Sequence, residues 1–204
     1  DRFTVQIIGS IIVFQPRVDL VEQPLPDEKR RQRPHHPHFD LRTMLYQTTG
    51  VDLTAVHGID VVVAQDILAE IGTDMSKWKT VKHFAAWLGL APNNKSSAGK
   101  IKSRRTSPTN NRASTAFRLA AQAVSRTQTT LGAFYCRIKV KHGAPVAITA
   151  TAHKIARIVY HMLKNRTPYA DPGIHVYEEQ QRQRSLRSLK RLAKTLNFDL
   201  IPLQ

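Results

Sequence analysis

The sequence contains no aspartate or glutamate between Met75 and Ala170. These 96 residues contain 18 lysines and arginines and so carry a charge of +18, whereas residues 1–74 carry −4 and residues 171–204 carry +2. A surface this basic favours a polyanionic partner, above all nucleic acid, over the alternative of a scattered charged face. The missing carboxylates also exclude a complete metal nuclease in this segment, because such a site needs several carboxylates converging on Mg²⁺.

Cysteine is nearly absent as well, and the single Cys136 excludes an internal disulfide and a cysteine-based zinc site. It follows Phe134 and Tyr135 in an apolar run, which predicts a buried, inert thiol. No apolar run approaches the roughly 18 residues of a membrane span, and the run from Val5 to Phe14 lacks the basic flank of a signal peptide. We therefore expect a cytoplasmic protein without membrane contact.

Residues 1–40 are predicted to be irregular, with a Pro/Arg/His-rich linker over residues 22–40. Three histidines in this linker, His35, His36 and His38, are more typical of a solvated loop than of a metal site, so no metal site is predicted. The sequence begins with Asp1 and not with methionine, from which we expect a fragment, a processed chain or an incomplete reading frame.

From Leu41 onward the pattern predicts an all-α fold: a compact helical domain over residues 41–170 and an amphipathic, basic tail helix over residues 171–204. The turn around Gly58 resembles a helix-hairpin-helix, whose backbone N–H groups can contact a phosphate. An ordinary corner between two helices with a glycine turn is an equal alternative. Asp60 suits the N-cap of the second helix.

A long basic loop from Gly89 to Arg112 contains two adjacent serines, Ser96 and Ser97. A serine among cations suits attack on a phosphodiester, because the cations stabilise the transition-state charge. The alternative is a phosphate-contact loop without chemistry. The residues predicted to contact nucleic acid are Lys95, Lys100, Lys102, Arg104, Arg105, Arg112, Arg118, Gly58 and Gly99.

Several motifs, in order, resemble one protein family. They include GIDVVVAQDILAEIGTDMSKWKTVKHFAAWLGLAP, NNKSSAGK, NNRASTAFRLAAQ and LGAFYCRIKVKHGAPVAITATAHKIARIVYHMLK. Together they resemble the C-terminal part of bacterial insertion-sequence transposases of the one-ten family, grouped with the one-sixteen and nine-oh-two elements. The resemblance extends from roughly Phe39 to Leu200, about four-fifths of the chain.

The resemblance implies a mainly helical domain with a serine nucleophile in a Ser-Gly motif that follows Gly-Leu-x-Pro. Here Gly89–Pro92 matches Gly-Leu-x-Pro, Ser97 falls on the nucleophile position, and Gly99 and Lys100 match the Gly-Lys that follows. Ala98 stands where the family usually has glycine. The implied function is DNA transposition by strand cleavage and rejoining, with Ser96 as the second candidate nucleophile.

The family also implies an N-terminal RuvC-like domain with an acidic tetrad and Mg²⁺, oligomeric assembly, and in some members a structured guide RNA. Nothing in residues 1–40 resembles that domain, so Mg²⁺ is expected only with a domain that this sequence does not contain, and no cofactor is expected within it. The sequence resembles half an enzyme, truncated or decayed. The alternatives are a non-catalytic nucleic-acid-binding module and, ranked lower, a helical scaffold that only oligomerises.

Overall fold

The computed structural model describes residues 17–25, 36–98, 100–103 and 105–201. Within these ranges the all-α prediction is confirmed, since seven helices make up the domain and one short hairpin interrupts them. The elements are α1 Leu41–Thr49, α2 Val61–Ile71, α3 Val81–Trp87, β1 Lys95–Ser97, β2 Lys100–Ser103, α4 Arg112–Val124, α5 Thr130–His142, α6 Ala144–Asn165 and α7 Ile174–Thr195, with 3-10 turns at Leu53–Ala55 and Met75–Lys77.

The N-terminal segment was predicted to be irregular. Residues 17–25 and 36–40 form bends and turns without helix or strand. Residues 1–16 and 26–35, including His35, lie outside the described residues, so the prediction for them stays untested.

Polar side chains fix where the helices begin. Asp40, Asp60 and Asn111 are the N-caps of α1, α2 and α4, and each accepts a hydrogen bond from the backbone N–H three residues later. Such a bond satisfies one of the donors that a helix start leaves unpaired. The structure thus confirms Asp60 as a cap, and it begins α4 directly after the basic loop.

The core is built around α6, which packs against α4 and α5 on two sides and against α3. α4 also packs against α2, and the buried alanines of α4 permit close approach of helices. Tyr160 of α6 lies in the middle of the core, and its hydroxyl donates a hydrogen bond to the Trp78 carbonyl at 3.0 Å. This bond ties α6 to the chain just before α3.

Gly58 lies in the turn that precedes α2, with a φ of +94°. A Cβ atom there would lie 2.4 Å from the Ala120 carbonyl oxygen and 2.6 Å from Cγ1 of Val124, both in α4. Glycine is therefore required by packing and by backbone conformation. This accounts for Gly58 without a ligand, as the αα-corner alternative does, and its contact with phosphate stays a prediction.

The prediction for Cys136 is wrong, because its side chain is exposed. Leu131 and Tyr135, four residues apart on α5, face the core. With 3.6 residues per turn, the next residue is rotated by about 100° and points away from it. The apolar neighbours in sequence therefore lie on a different face of the helix.

The tail helix α7 packs through its beginning, and Tyr177 is its buried residue. Leucines further along remain exposed: Leu186, Leu189, Leu192 and Leu196. The sequence left open whether this helix packs on the domain or follows a phosphate backbone, and the second possibility stays a prediction. No helix among the described residues combines the length and apolarity that crossing a membrane requires.

Candidate functional site

The Gly-Leu-x-Pro segment ends α3 and anchors the chain at the base of the hairpin. Gly89 has a φ of +62° and donates its N–H to the Ala86 carbonyl at 2.9 Å. Leu90 is fully buried, and its N–H donates to the Ala85 carbonyl at 3.0 Å. A left-handed glycine followed by a buried leucine fixes the direction in which the chain leaves the helix.

The returning strand passes close to this anchor. A Cβ at Gly89 would lie 2.5 Å from Cγ2 of Thr109 and 2.8 Å from the Ser107 carbonyl oxygen. Further out, Pro92 forms an isolated antiparallel bridge with Thr106, and a neighbouring backbone hydrogen bond of 3.1 Å runs from the Asn93 N–H to the Arg105 carbonyl. The two ends of the loop are therefore held together below the hairpin.

The hairpin places Ser97 at its tip. Antiparallel pairing joins Lys95 with Ser103 and Ser97 with Lys100, with an irregularity of register between Lys95 and Ser96. Ser97 is the last residue of β1, and its side chain is exposed. The sequence predicted a loop here, and the local pairing of two short strands gives that loop a defined shape.

Ala98 follows Ser97 in the turn, with a φ of +50°. This left-handed conformation suits a two-residue hairpin turn, but it costs an L-residue about 1–2 kcal/mol, which glycine avoids. Glycine is thus the residue that this backbone favours. Ala98 places local strain directly beside Ser97.

The structure brings together part of the predicted nucleic-acid set. Lys95, Lys100 and Lys102 lie on the two strands, and Arg105 follows them with an exposed side chain. Gly99 and Arg104, also in the predicted set, lie outside the described residues.

Arg112 and Arg118 lie outside the hairpin, on α4. Arg112 is the first residue of that helix, and its guanidinium lies 3.8 Å from the exposed Asp66 carboxylate. Such a surface pair contributes about 0–1 kcal/mol. Because a helix N-terminus favours anions, a phosphate there would interact with both Arg112 and the helix dipole.

Arg118 is half-buried in the middle of α4. Its Nε is shielded from solvent and has no hydrogen-bond partner among the described residues. Buried donors are usually paired, so this one is a candidate for a bound acceptor.

The sequence did not single out a second group of cations. The chain leaving β2 borders a cavity of about 1170 Å³ between α5, α6 and the beginning of α7. The basic side chains on its wall that the sequence did not select are Arg137, Lys154, Arg157 and Arg184. They come from three helices and share no regular spacing in the sequence. The acid-free segment from Met75 to Ala170, which contains three of the four, was the one sequence feature that pointed to them.

The described residues contain no group of three or more histidine, cysteine, aspartate or glutamate side chains that could hold a metal ion. The donor set suited to Mg²⁺ is therefore not assembled in this part of the chain. The residue types at the hairpin can supply a hydroxyl, ammonium and guanidinium groups, and backbone N–H groups.

Comparison with known protein families gives a match. Residues 51–136 match the family model described as the transposase IS116/IS110/IS902 family. The matched segment runs from the chain before α2 into α5, and it includes the hairpin and Ser97. No curated protein and no solved structure matches the chain.

Proposed function

We propose, from the match of residues 51–136 to the transposase IS116/IS110/IS902 family, that the chain is a transposase domain which cleaves and rejoins DNA strands with Ser97 as the nucleophile. The observation that carries the proposal is the position of Ser97. It is exposed at the tip of a hairpin whose base is fixed by the buried Leu90. A reactive hydroxyl needs both access to the substrate and a defined approach.

In the proposed step the Ser97 hydroxyl oxygen attacks a DNA phosphorus atom. One P–O bond forms to serine as one P–O bond to a deoxyribose oxygen breaks. The serine proton passes to a base, and the departing sugar oxygen takes up a proton. Since one phosphodiester replaces another, no oxidant or nucleotide cofactor is needed, and the reverse reaction joins the phosphoserine ester to a new strand.

The basic residues around the serine stabilise the negative charge that develops on the phosphate. Lys100 is paired with Ser97 across the hairpin, and Arg105 follows the second strand. Cations at such positions stabilise the extra negative charge of a pentavalent phosphate. Lys95, Lys102 and Arg112 belong to the same proposed contact set.

The substrate and the partners are proposed from the similarity to this family. DNA is the substrate, a structured RNA can guide its recognition, and several copies of the chain act together. The acidic tetrad and Mg²⁺ belong to a RuvC-like domain that residues 1–40 do not resemble.

The competing proposal is a nucleic-acid-binding module without chemistry. The acid-free stretch from Met75 to Ala170 suits it equally, because a basic surface binds phosphates whether or not a serine reacts. That module would bind DNA or RNA with strong salt dependence and cleave neither, with or without Mg²⁺.

A covalent-capture assay separates the two. The chain is incubated with end-labelled DNA of the element's terminus, with and without Mg²⁺, and resolved under denaturing conditions. The proposal predicts a labelled protein band that Ser97→Ala abolishes while DNA affinity changes less than about threefold. Ser96→Ala is the matched control and keeps the band. A band that persists in Ser97→Ala would exclude Ser97, and binding without any band in the wild type would favour the module.

A further inference from the structure

The cavity beside the hairpin is lined by cations from four separate parts of the fold. Arg105 comes from the chain after β2, Arg137 from α5, Lys154 and Arg157 from α6, and Arg184 from α7. No aspartate or glutamate is among the described residues that line it. We call this set of five residues, together with the two rings between them, the basic cavity.

Two of these cations share the same aromatic surface. The Lys154 ammonium lies 4.6 Å from the centroid of the Phe134 ring and 5.3 Å from that of Tyr177. The Arg137 guanidinium carbon lies 5.6 and 6.0 Å from the same two centroids, and its Nε donates to the Tyr177 hydroxyl at 2.9 Å. Both positive groups are therefore held by ring faces and a neutral hydroxyl.

This arrangement leaves positive charge incompletely compensated. Burial lowers the pKa of Lys154, and the neighbouring Arg137 lowers it further. Asp171 lies close enough to oppose that effect, but its carboxylate already accepts hydrogen bonds from Thr130 and from the Gly173 N–H. A partly buried ammonium such as that of Lys154 is costly without an anion beside it, and an incoming anion would reduce that cost.

The residues that line the basic cavity indicate which kind of anion would bind there. Guanidinium groups match the geometry of phosphate oxygens, and the half-buried ring of Phe134 offers apolar surface to a sugar or base. About 1170 Å³ exceeds the roughly 300–1,000 Å³ of a pocket for one drug-sized ligand. Several spaced phosphates with planar groups between them fit these features better than one small anion.

The location indicates a single strand. A B-form duplex receives protein elements into its grooves, so its backbone is read by protruding surfaces and not within a cavity between helices. A single strand is flexible enough to enter. The cavity rim at Ser103 is three residues from Lys100, which pairs with Ser97, a distance of about 10 Å along the strand.

We propose that the basic cavity binds the sugar–phosphate backbone of a single nucleic-acid strand and leads it toward the hairpin that bears Ser97. The inference rests on the proposed function in taking nucleic acid as the substrate, but it does not require Ser97 to react. Lys154 and Arg137 bind phosphates, Phe134 forms the apolar floor, and the buried Tyr177 holds Arg137 in place.

The test is fluorescence anisotropy with the whole chain and a labelled deoxythymidine oligonucleotide at several salt concentrations. The test variant combines Lys154→Met with Arg137→Gln, which keep much of the side-chain length but remove the charge. The matched control is Lys139→Met, an exposed lysine of α5 that does not line the cavity. Thermal unfolding followed by circular dichroism confirms that all variants are folded.

We expect the double variant to bind the oligonucleotide about 10- to 100-fold more weakly, since two charged hydrogen-bonding groups are lost. The slope of log affinity against log salt should fall by about 1.4, or roughly 0.7 for each phosphate contact in a single strand. Lys139→Met should stay within about threefold of the wild type. An equal loss in Lys139→Met, or no change in slope for the double variant, would overturn the proposal.

Further arms identify the ligand. The same measurement with an RNA oligonucleotide of equivalent sequence distinguishes an RNA guide strand from a DNA strand. Weaker binding of either the RNA or the DNA oligonucleotide to the double variant supports recognition of the phosphodiester backbone. An equally large loss for blunt duplex DNA would contradict a single-strand site, and competition by a polyglutamate peptide at equal charge would favour an acidic protein partner. In the Ser97→Ala background the binding should be unchanged, so failure of the covalent assay and failure of this proposal are separate results.

Discussion

Replacing Gly58 by alanine separates packing from ligand contact at the turn before α2. The new Cβ would lie 2.4 Å from the Ala120 carbonyl oxygen, and the residue would have a φ of +94°. The left-handed backbone costs about 1–2 kcal/mol, and overpacking against the backbone of α4 costs a further 1–3 kcal/mol or so. We therefore expect a loss of about 2–5 kcal/mol in the free energy of unfolding.

The matched control is Gly173→Ala. Gly173 has a similar φ of +87°, but a Cβ atom at this position would meet no neighbouring atom within 4 Å. Both variants place an L-residue at positive φ and both reduce unfolded-state entropy, whereas the clash with α4 is added only in Gly58→Ala. Gly58→Ala should unfold at a Tm roughly 2–12 °C below that of Gly173→Ala.

Thermal unfolding by circular dichroism or calorimetry supplies the measurement, and DNA affinity is measured below both transitions. If packing is the role of Gly58, the folded variant binds DNA within about twofold of the wild type. Equal Tm values for the two variants would refute the packing argument. A large loss of affinity at unchanged Tm would instead establish Gly58 as a phosphate contact.

Three further substitutions test separate parts of the structure. Ala98→Gly should remove about 1–2 kcal/mol of left-handed strain and slow amide exchange in the hairpin, and faster exchange would contradict that conformation. Burial opposes a low pKa for Asp171, but hydrogen bonds from Thr130 and the Gly173 N–H outweigh it and hold the pKa below 3.8. Because the pKa of Asp171 is lower in the folded state, its stabilisation is present above pH 3.8 and is lost as the pH falls through the folded value. The free energy of unfolding of Asp171→Asn should therefore depend less on pH in that range. Tyr160→Phe leaves the buried Trp78 carbonyl without its donor and should cost about 1–3 kcal/mol in urea unfolding, and a cost near zero would show that the bond adds no stability.

Much of the helical architecture could be predicted from the sequence because it depends on local rules. The spacing of Ile67 and Ile71 marks a buried face, and Asp60 marks the start of the same helix. Both follow from interactions within a few residues, so no knowledge of the rest of the fold is needed. The same applies to Gly89, whose left-handed conformation ends α3.

Features that depend on distant contacts could not be predicted in this way. The clash that fixes Gly58 comes from Ala120 and Val124, more than 60 residues away in the chain. Likewise, Arg137 and Lys154 meet over one pair of rings only after α5, α6 and α7 have packed. Charge counting detected the basic stretch but could not show which of its residues share a cavity.

The candidate nucleophile lies between these cases. Composition indicated only a serine in a basic loop, and the family resemblance distinguished Ser97 from Ser96. The structure adds that Ser97 ends β1 at an exposed hairpin tip. Attack of Ser97 on a DNA phosphodiester stays a proposal, and the proposed function depends on it.

Mass spectrometry of the protein–DNA adduct tests that proposal most directly. The adduct is digested with protease and nuclease, and the peptide that carries the remaining nucleotide phosphate is fragmented to locate the modified side chain. The account predicts a phosphoserine ester at Ser97 and an unmodified Ser96. A nucleotide attached to Ser96 or to any other residue would contradict it.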